Sequence, residues 1–162
     1  LLKVDPAGGE TGVVDGPFVD GPGEISPDGH WLAYQSNESG QDQVYVRPLD
    51  TQTGGRVQVS PTGGTKPVWA HDQRVLFYLD AAGALTAVPI STAGSFTTGT
   101  PVKISSTRYF SANQARSYDV TPDGRRFLFI KGGGAATNPA TTPVSLVVTL
   151  NWLDEIRAKL PK

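Results

Sequence analysis

The 162-residue sequence contains no cysteine, no methionine and only 2 histidines. Without cysteine the chain has no disulfide framework. Because zinc is bound mainly by cysteine and histidine, and the chain has no cysteine and two histidines, we expect no zinc site and no metal cofactor. A chain without cysteine suits oxidising and reducing compartments equally, so this absence does not predict where the protein works.

Excess charge and long apolar runs are also missing. The 14 basic and 15 acidic residues nearly cancel, which argues against a nucleic-acid partner, because such a partner requires a basic face. No apolar stretch approaches the ~20 residues that cross a bilayer, so we expect no membrane insertion. The start at Leu1 resembles no signal peptide, and a first residue other than methionine suggests a fragment or a processed segment.

Turn residues are abundant, with 19 glycines and 13 prolines. The phrase SPDG at 26–29 returns as TPDG at 121–124, and AHDQ at 70–73 stands between them without the proline and the glycine. Proline presets a type I turn, and glycine supplies the positive φ that closes it into a hairpin. Because AHDQ has neither residue, its sequence does not predict the geometry of its turn. Repeats of about 40–50 residues, each with several short strands, predict propeller blades.

Alternating, branched or aromatic runs follow and precede each turn, as half-buried strands require. The sequence therefore predicts an all-β fold of propeller-type blades, each a four-stranded antiparallel sheet. The chain holds about three to three and a half blades, with eight aromatic residues in the core: Trp31, Tyr34, Tyr45, Trp69, Phe77, Tyr78, Phe127 and Phe129. We place the last strands of a preceding unit at 1–23, blade 1 at 24–62, blade 2 at 63–110, blade 3 at 111–150, and a C-terminal helix and tail at 151–162.

The predicted helix spans 151–160. Asn151 is a suitable N-cap, acidic residues follow it, and basic residues lie near the end, which complements the helix dipole. Trp152, Ile156 and Leu160 form one apolar stripe, which we expect to pack on the side of the sheets or over an open edge.

The ordered series GPGEISPDGHWLAYQSNESGQDQVYVRPL, VSPTGGTKPVWAHDQRVLFYLDAAGALTAVPI, YDVTPDGRRFLFI and VVTLNWLDEI resembles TolB-like, WD-repeat-like propellers. More narrowly, it is similar to the last blades of propellers attached to bacterial serine/threonine protein kinases. This resemblance implies an interaction role and a periplasmic or extracellular location. It implies no catalysis, and the residues contain no kinase signature.

Three units and a partial one make about half of a ring, since propellers close with about 4–8 blades. A half ring leaves two open edges and a bare apolar flank. The chain is then a fragment of a longer protein, one of two copies that close a ring around a two-fold axis, or part of an open assembly. We favour the homodimer among these three.

Candidate binding residues come from the loops that join blades and the loops that join second to third strands, which share one face of a propeller. The loop SSTRYFSANQAR at 105–116 carries arginine and tyrosine, types enriched in interface hot spots. The predicted binding residues are Asn37, Glu38, Lys66, Arg108, Tyr109, Asn113 and Arg116; a solvated loop is the simpler alternative.

Catalytic constellations are hard to assemble from this sequence. No GxSxG elbow is present, the glycine-rich stretch at 132–139 lacks GK[ST], and no calcium loop is visible. His30 and His71 both lie in hairpin turns, on one face of the ring, and lack the spacing of metal ligands. We therefore expect a non-enzymatic scaffold that binds a protein or ligand, with a propeller lyase or hydrolase acting on a polysaccharide or peptide as the alternative. A structural half-propeller without a function of its own is a third possibility.

Overall fold

The computed structural model of the chain describes residues 2–4, 9–14, 17–18, 20–49, 55–108, 116–130 and 146–150. Within these ranges the chain forms fourteen β-strands. They are β1 Leu2–Val4, β2 Glu10–Gly12, β3 Asp20–Ile25, β4 Trp31–Ser36, β5 Gln43–Pro48, β6 Val57–Gln58, β7 Gly64–Trp69, β8 Val75–Asp80, β9 Ala84–Ser91, β10 Thr97–Thr98, β11 Val102–Arg108, β12 Tyr118–Val120, β13 Arg126–Ile130 and β14 Leu146–Leu150.

Three separate antiparallel sheets follow one another along the chain, and we call them blades 1, 2 and 3. Blade 1 has the order β3-β4-β5-β6, and blade 3 has β12-β13-β14. In blade 2, β7, β8 and β9 follow in order, and β10 and β11 share the outer side of β9. A two-stranded sheet, β1-β2, precedes them. The all-β fold with antiparallel four-stranded sheets is confirmed, whereas the predicted helix at 151–160 lies outside the described residues.

Some elements differ from the predicted ones. The connector between β9 and β11 contains the short strand β10, which pairs with Ile90 and Ser91. Strand β11 continues to Arg108, so the predicted loop at 105–116 is wrong for its first residues. The register with β9 shifts between Lys103 and Arg108, and Arg108 then pairs with Ala84. Because of this irregularity, β11 is longer than its sequence suggests. Strand β3 begins at Asp20, ahead of the predicted blade boundary at residue 24.

The hairpin turn between the first and second strands has one geometry in all three blades. In blade 1 the Gly29 N–H donates to the Ser26 carbonyl at 2.8 Å, and in blade 2 the Gln73 N–H donates to Ala70 at 2.9 Å. Gly29, Gln73 and Gly124 have φ of 77°, 57° and 65°. The turn that lacks proline and glycine thus folds like the others, because pairing of the strands on both sides holds Gln73 in a conformation that glycine adopts more easily.

Apolar side chains from adjacent sheets form the core. One cluster joins blade 1 to blade 2, and a second joins blade 2 to blade 3, where the rings of Phe77 and Phe127 meet edge to face at 4.9 Å. A third cluster packs Val13 against Leu32 and Tyr34 on the other side of blade 1. Seven of the eight predicted core aromatics are buried, and Trp31 is half-buried against the first cluster. None of the described residues forms a helix that could span a bilayer.

Candidate functional site

A cleft of 230 Å³ opens where the innermost strands of the three blades end. Strands β3, β7 and β12 each deliver their last residues to this place, and the hairpin turns that follow form its rim. We call it the inner-strand cleft; it is lined by Glu24, Ile25, Pro27, Trp69, His71, Arg116, Asp119, Val120, Thr121 and Pro122.

Arg116 is held in the inner-strand cleft by two carboxylates. Its Nη2 donates to Glu24 Oε1 at 3.0 Å and to Asp119 Oδ1 at 3.1 Å. Its Nε donates to the Tyr118 carbonyl at 3.2 Å, whereas Nη1 has no hydrogen-bond partner among the described residues. The side chain is 47% exposed, so an oriented guanidinium group faces solvent with N–H groups available to a ligand.

Glu24 connects all three blades. Its Oε2 accepts the Trp69 backbone N–H at 3.0 Å, and its carbonyl accepts the indole N–H of Trp69 at 2.9 Å. Burial raises the pKa of the Glu24 carboxyl above its ordinary value, and the Arg116 guanidinium and the Trp69 N–H offset part of that rise. A carboxyl group, a guanidinium group and a tryptophan from three sheets thereby form one polar network at the centre.

Lys66 is buried in a strand and not exposed in a loop, so its predicted placement was wrong. It was expected in the loop that joins blades 1 and 2, but it lies inside β7 and is 2% exposed. A register shift between Thr65 and Val68, with a φ of 57° at Lys66, redirects its side chain toward blade 3. There its Nζ lies 3.5 Å from Ser117 Oγ, and its carbonyl accepts the Tyr118 hydroxyl at 2.8 Å. Burial lowers the pKa of the Lys66 amine, and the residue joins two blades.

The other predicted site residues do not gather in one place among the described residues. Asn37 begins the β4–β5 hairpin, where its carbonyl accepts the Gly40 N–H, and Glu38 pairs with the Arg56 guanidinium. Arg108 lies in β11 rather than in a loop. Tyr109 and Asn113 lie outside the described residues. Of the predicted site residues that the structure describes, Arg116 alone lines the inner-strand cleft.

Glu24, Trp69 and Asp119 are not among the predicted site residues. The predicted site was the face formed by the blade-joining loops, whereas the inner-strand cleft lies at the opposite end of the inner strands, beside the hairpin turns. One signal was available, because Glu24 and Asp119 occupy the same place in their blades, two residues before the residue that opens the turn. A carboxylate repeated at that place in the innermost strand indicates a polar centre.

Both histidines lie in exposed hairpin turns, as predicted, and His71 borders the inner-strand cleft. Within the described ranges no group of three or more histidine, aspartate or glutamate side chains is arranged to hold a metal ion.

Comparison with solved structures identifies the architecture. TolB from Acinetobacter baumannii superposes with a TM-score of 0.60 at 12% identity, over 90% of this chain and 33% of that one. An oligogalacturonate lyase from Vibrio parahaemolyticus gives 0.55 at 17% identity, over 80% of this chain and 35% of that one. These residues form part of a β-propeller. The chain spans about a third of the length of these two propeller proteins.

A family model supports the propeller at the level of sequence. The model described as "Prolyl oligopeptidase, N-terminal beta-propeller domain" matches residues 16–86, less than half of the chain. No curated protein sequence matches the chain. The predicted resemblance to TolB-like propellers is therefore confirmed as a likeness of fold.

Proposed function

We propose that this chain is a non-enzymatic β-propeller scaffold that binds a protein or a ligand in the inner-strand cleft. The observation that carries this proposal is Arg116, whose guanidinium group is oriented by Glu24 and Asp119 while Nη1 has no partner among the described residues. A donor that is already oriented loses little conformational entropy when a ligand arrives, so it contributes more of its interaction energy to affinity.

The lining of the inner-strand cleft favours a peptide-like ligand. Ile25 is 52% exposed beside the charged groups, and Pro27 and Pro122 are exposed on the rim. In a peptide ligand, a carbonyl or carboxylate oxygen would accept a hydrogen bond from the guanidinium group, and a neighbouring apolar side chain would pack on the apolar surface. Arginine is also among the residue types that dominate binding energy at protein interfaces.

Substitution of Arg116 tests the proposal. Peptides selected from a displayed random library, and glycans from an array, are bound to the wild-type chain and then to Arg116→Ala. We expect the affinity of cleft ligands to fall by about tenfold or more, because the oriented donor is lost. Arg125→Ala is the matched control, since Arg125 is an exposed arginine of the blade 3 turn that does not line the cleft. If Arg116→Ala binds every selected ligand as tightly as the wild type does, the site is wrong.

The alternative is a propeller lyase or hydrolase that acts on a polysaccharide or peptide. It is favoured by one observation: Glu24, a carboxyl group with a raised pKa, shares the cleft with a second carboxyl group, Asp119. Incubation of the chain with panels of acidic polysaccharides and peptides decides between the two functions. Product release that disappears in Glu24→Gln would replace the binding proposal with the enzymatic one.

The narrower resemblance to kinase-attached propellers stays a prediction, together with a location outside the cytoplasmic membrane. The family model suggests a different association, because its description names the propeller of a peptidase. Cleavage of the native protein by a protease added to intact cells would support the extracytoplasmic location, and full protection until lysis would contradict it.

A further inference from the structure

The inner-strand cleft contains more acidic than basic groups. Among the described residues that line it, Glu24 and Asp119 contribute carboxylates and Arg116 contributes the guanidinium group, while the histidine His71 counts as neutral at pH 7. Both carboxylates contact the same atom, Nη2 of Arg116, at 3.0 and 3.1 Å. Because these two carboxylates already share the guanidinium charge, they would repel a third carboxylate that a ligand brought into the cleft.

Arg116 and Asp119 present an open donor beside an open acceptor. Oδ1 of Asp119 accepts from Nη2 of Arg116 and, at 2.8 Å, from the Val120 N–H, which fixes the orientation of the carboxylate. Within the part of the chain that the structure describes, Nη1 of Arg116 and Oδ2 of Asp119 take part in no hydrogen bond. The two side chains are 47% and 62% exposed. The pair can therefore donate one hydrogen bond to a ligand and accept another from it.

A peptide backbone carries the matching groups. In an extended chain the N–H and the C=O of one residue point to the same side, which is why paired residues of antiparallel strands exchange both hydrogen bonds. The C=O of one ligand residue would accept from Arg116, and its N–H would donate to Asp119. A terminal carboxylate matches the pair less well, because it has no N–H and its charge has the same sign as that of Asp119.

The size of the cleft limits how much of a ligand enters it. Its volume of 230 Å³ lies below the about 300–1,000 Å³ of pockets that enclose drug-sized ligands. One or two residues of a peptide fit this space. The side chain of Ile25, which is 52% exposed at the edge of the cleft, supplies an apolar surface for the side chain of such a residue.

We propose that the inner-strand cleft recognises the uncharged backbone of an internal peptide segment with an apolar side chain, and discriminates against a terminal carboxylate. Arg116 binds the carbonyl oxygen, and Asp119 is the residue that determines specificity, since it accepts the ligand N–H and repels a ligand carboxylate. This inference rests on the ligand binding proposed above for the same cleft.

Three small probes that differ in one group each test the inference. They are N-acetyl-leucine methylamide, N-acetyl-leucine with its free carboxylate, and the ester analogue of the methylamide in which oxygen replaces the leucine N–H. NMR titration of the nitrogen-labelled chain at neutral pH measures their affinities from the shifts of the cleft amide resonances. We expect the methylamide to bind about fivefold more tightly than the carboxylate, and about threefold more tightly than the ester.

Each outcome of the titration decides the inference. If the carboxylate binds as tightly as the methylamide does, the inference is wrong and ligand binding in the cleft still stands. If no probe shifts the cleft resonances, the inference is also wrong. The proposed function fails with it only when the library-selected peptides do not bind either.

Asp119→Asn tests the residue that makes the distinction. The variant removes the charge that repels a carboxylate, so the preference for the methylamide over N-acetyl-leucine should disappear. Asp42→Asn is the matched control, because Asp42 is an exposed aspartate that does not line the cleft, and it should keep the wild-type preference. A preference that persists in Asp119→Asn would contradict the assignment. Dispersed amide spectra confirm beforehand that both variants are folded.

Discussion

The pKa of the Glu24 carboxyl reports on the contacts inside the inner-strand cleft. Its carboxylate accepts hydrogen bonds from groups in blades 2 and 3, so its proton affinity depends on both neighbours. Its pKa lies above the ordinary value of 4.5, which means that the folded chain holds this proton more tightly than the unfolded chain does. The contribution of Glu24 to stability therefore increases as the pH falls through the raised pKa toward 4.5, and decreases as the pH rises.

Removing the guanidinium group should raise the pKa of Glu24 further. In Arg116→Ala the positive charge that favours the ionised carboxylate is gone, while the burial that disfavours it remains. Carbon-detected NMR titration of the Glu24 side-chain carboxyl measures the change, and Arg125→Ala should leave it in place. An unchanged titration in Arg116→Ala would mean that the ion pair is not formed in solution.

The repeated turn is the feature that defines each blade at the level of elements. In blade 1 the Ser26 hydroxyl accepts the Trp31 N–H at 2.9 Å, and the Asp28 carboxylate accepts the His30 N–H at 3.0 Å. Thr121 and Asp123 repeat these bonds in blade 3, at 3.2 Å to the Arg126 N–H and 3.0 Å to the Arg125 N–H. The Thr121 hydroxyl also donates to the Asp123 carboxylate and lowers the pKa of that carboxyl.

The positive φ of Gly29 contributes to the stability of this turn. Its φ is 77° and a Cβ there would meet no atom within 4 Å, so a substitution changes stability through the backbone alone. We expect Gly29→Ala to cost about 1 kcal/mol in the free energy of unfolding, and Gly29→Asn to cost less, because asparagine tolerates the left-handed region. Urea denaturation measures both.

Gly55→Ala is the control for these variants. Gly55 also has open space around its Cα but does not adopt a positive φ, so alanine should be neutral or slightly stabilising there. Equal effects of alanine at Gly29 and Gly55 would contradict the role of the left-handed turn.

The whole molecule is held together by side chains that cross from blade to blade. Phe77 is fully buried between blades 2 and 3, and its ring packs edge to face with Phe127. Glu24 binds Trp69 of blade 2 and Arg116 of blade 3, and the Tyr118 hydroxyl of blade 3 donates to the Lys66 carbonyl of blade 2. Damage to one interface should therefore affect the stability of the described blades together.

Phe77→Ala tests this coupling at the scale of the fold. Removing a fully buried ring should cost about 3–5 kcal/mol in the free energy of unfolding, through lost burial and the cavity left behind. Lys103→Ala, which removes a half-exposed cation paired with Asp80, should cost under about 1 kcal/mol. Chemical denaturation followed by tryptophan fluorescence compares them, and a loss as small as that of Lys103→Ala would show that the interface contributes little.

Local sequence signals specify the strands of the blades and the turns between them. Proline, aspartate and glycine in SPDG act on their own backbone, and the apolar and aromatic runs WLAYQS and RFLFI favour strands, so these signals operate within a few residues. The buried aromatics followed from the same local rules, and the AHDQ turn, which lacks proline and glycine, kept the shared geometry because its flanking strands pair.

The residues of the candidate site come together only through the packing of the blades. Arg116 and Glu24 are 92 positions apart, and they meet because the innermost strands of three blades converge. Lys66 leaves its predicted place in a loop because a bulge in β7 turns it toward blade 3. No local sequence pattern specifies the spacing of successive inner strands or the side chains that make contact between them. The packing of whole sheets against one another determines that spacing and those contacts.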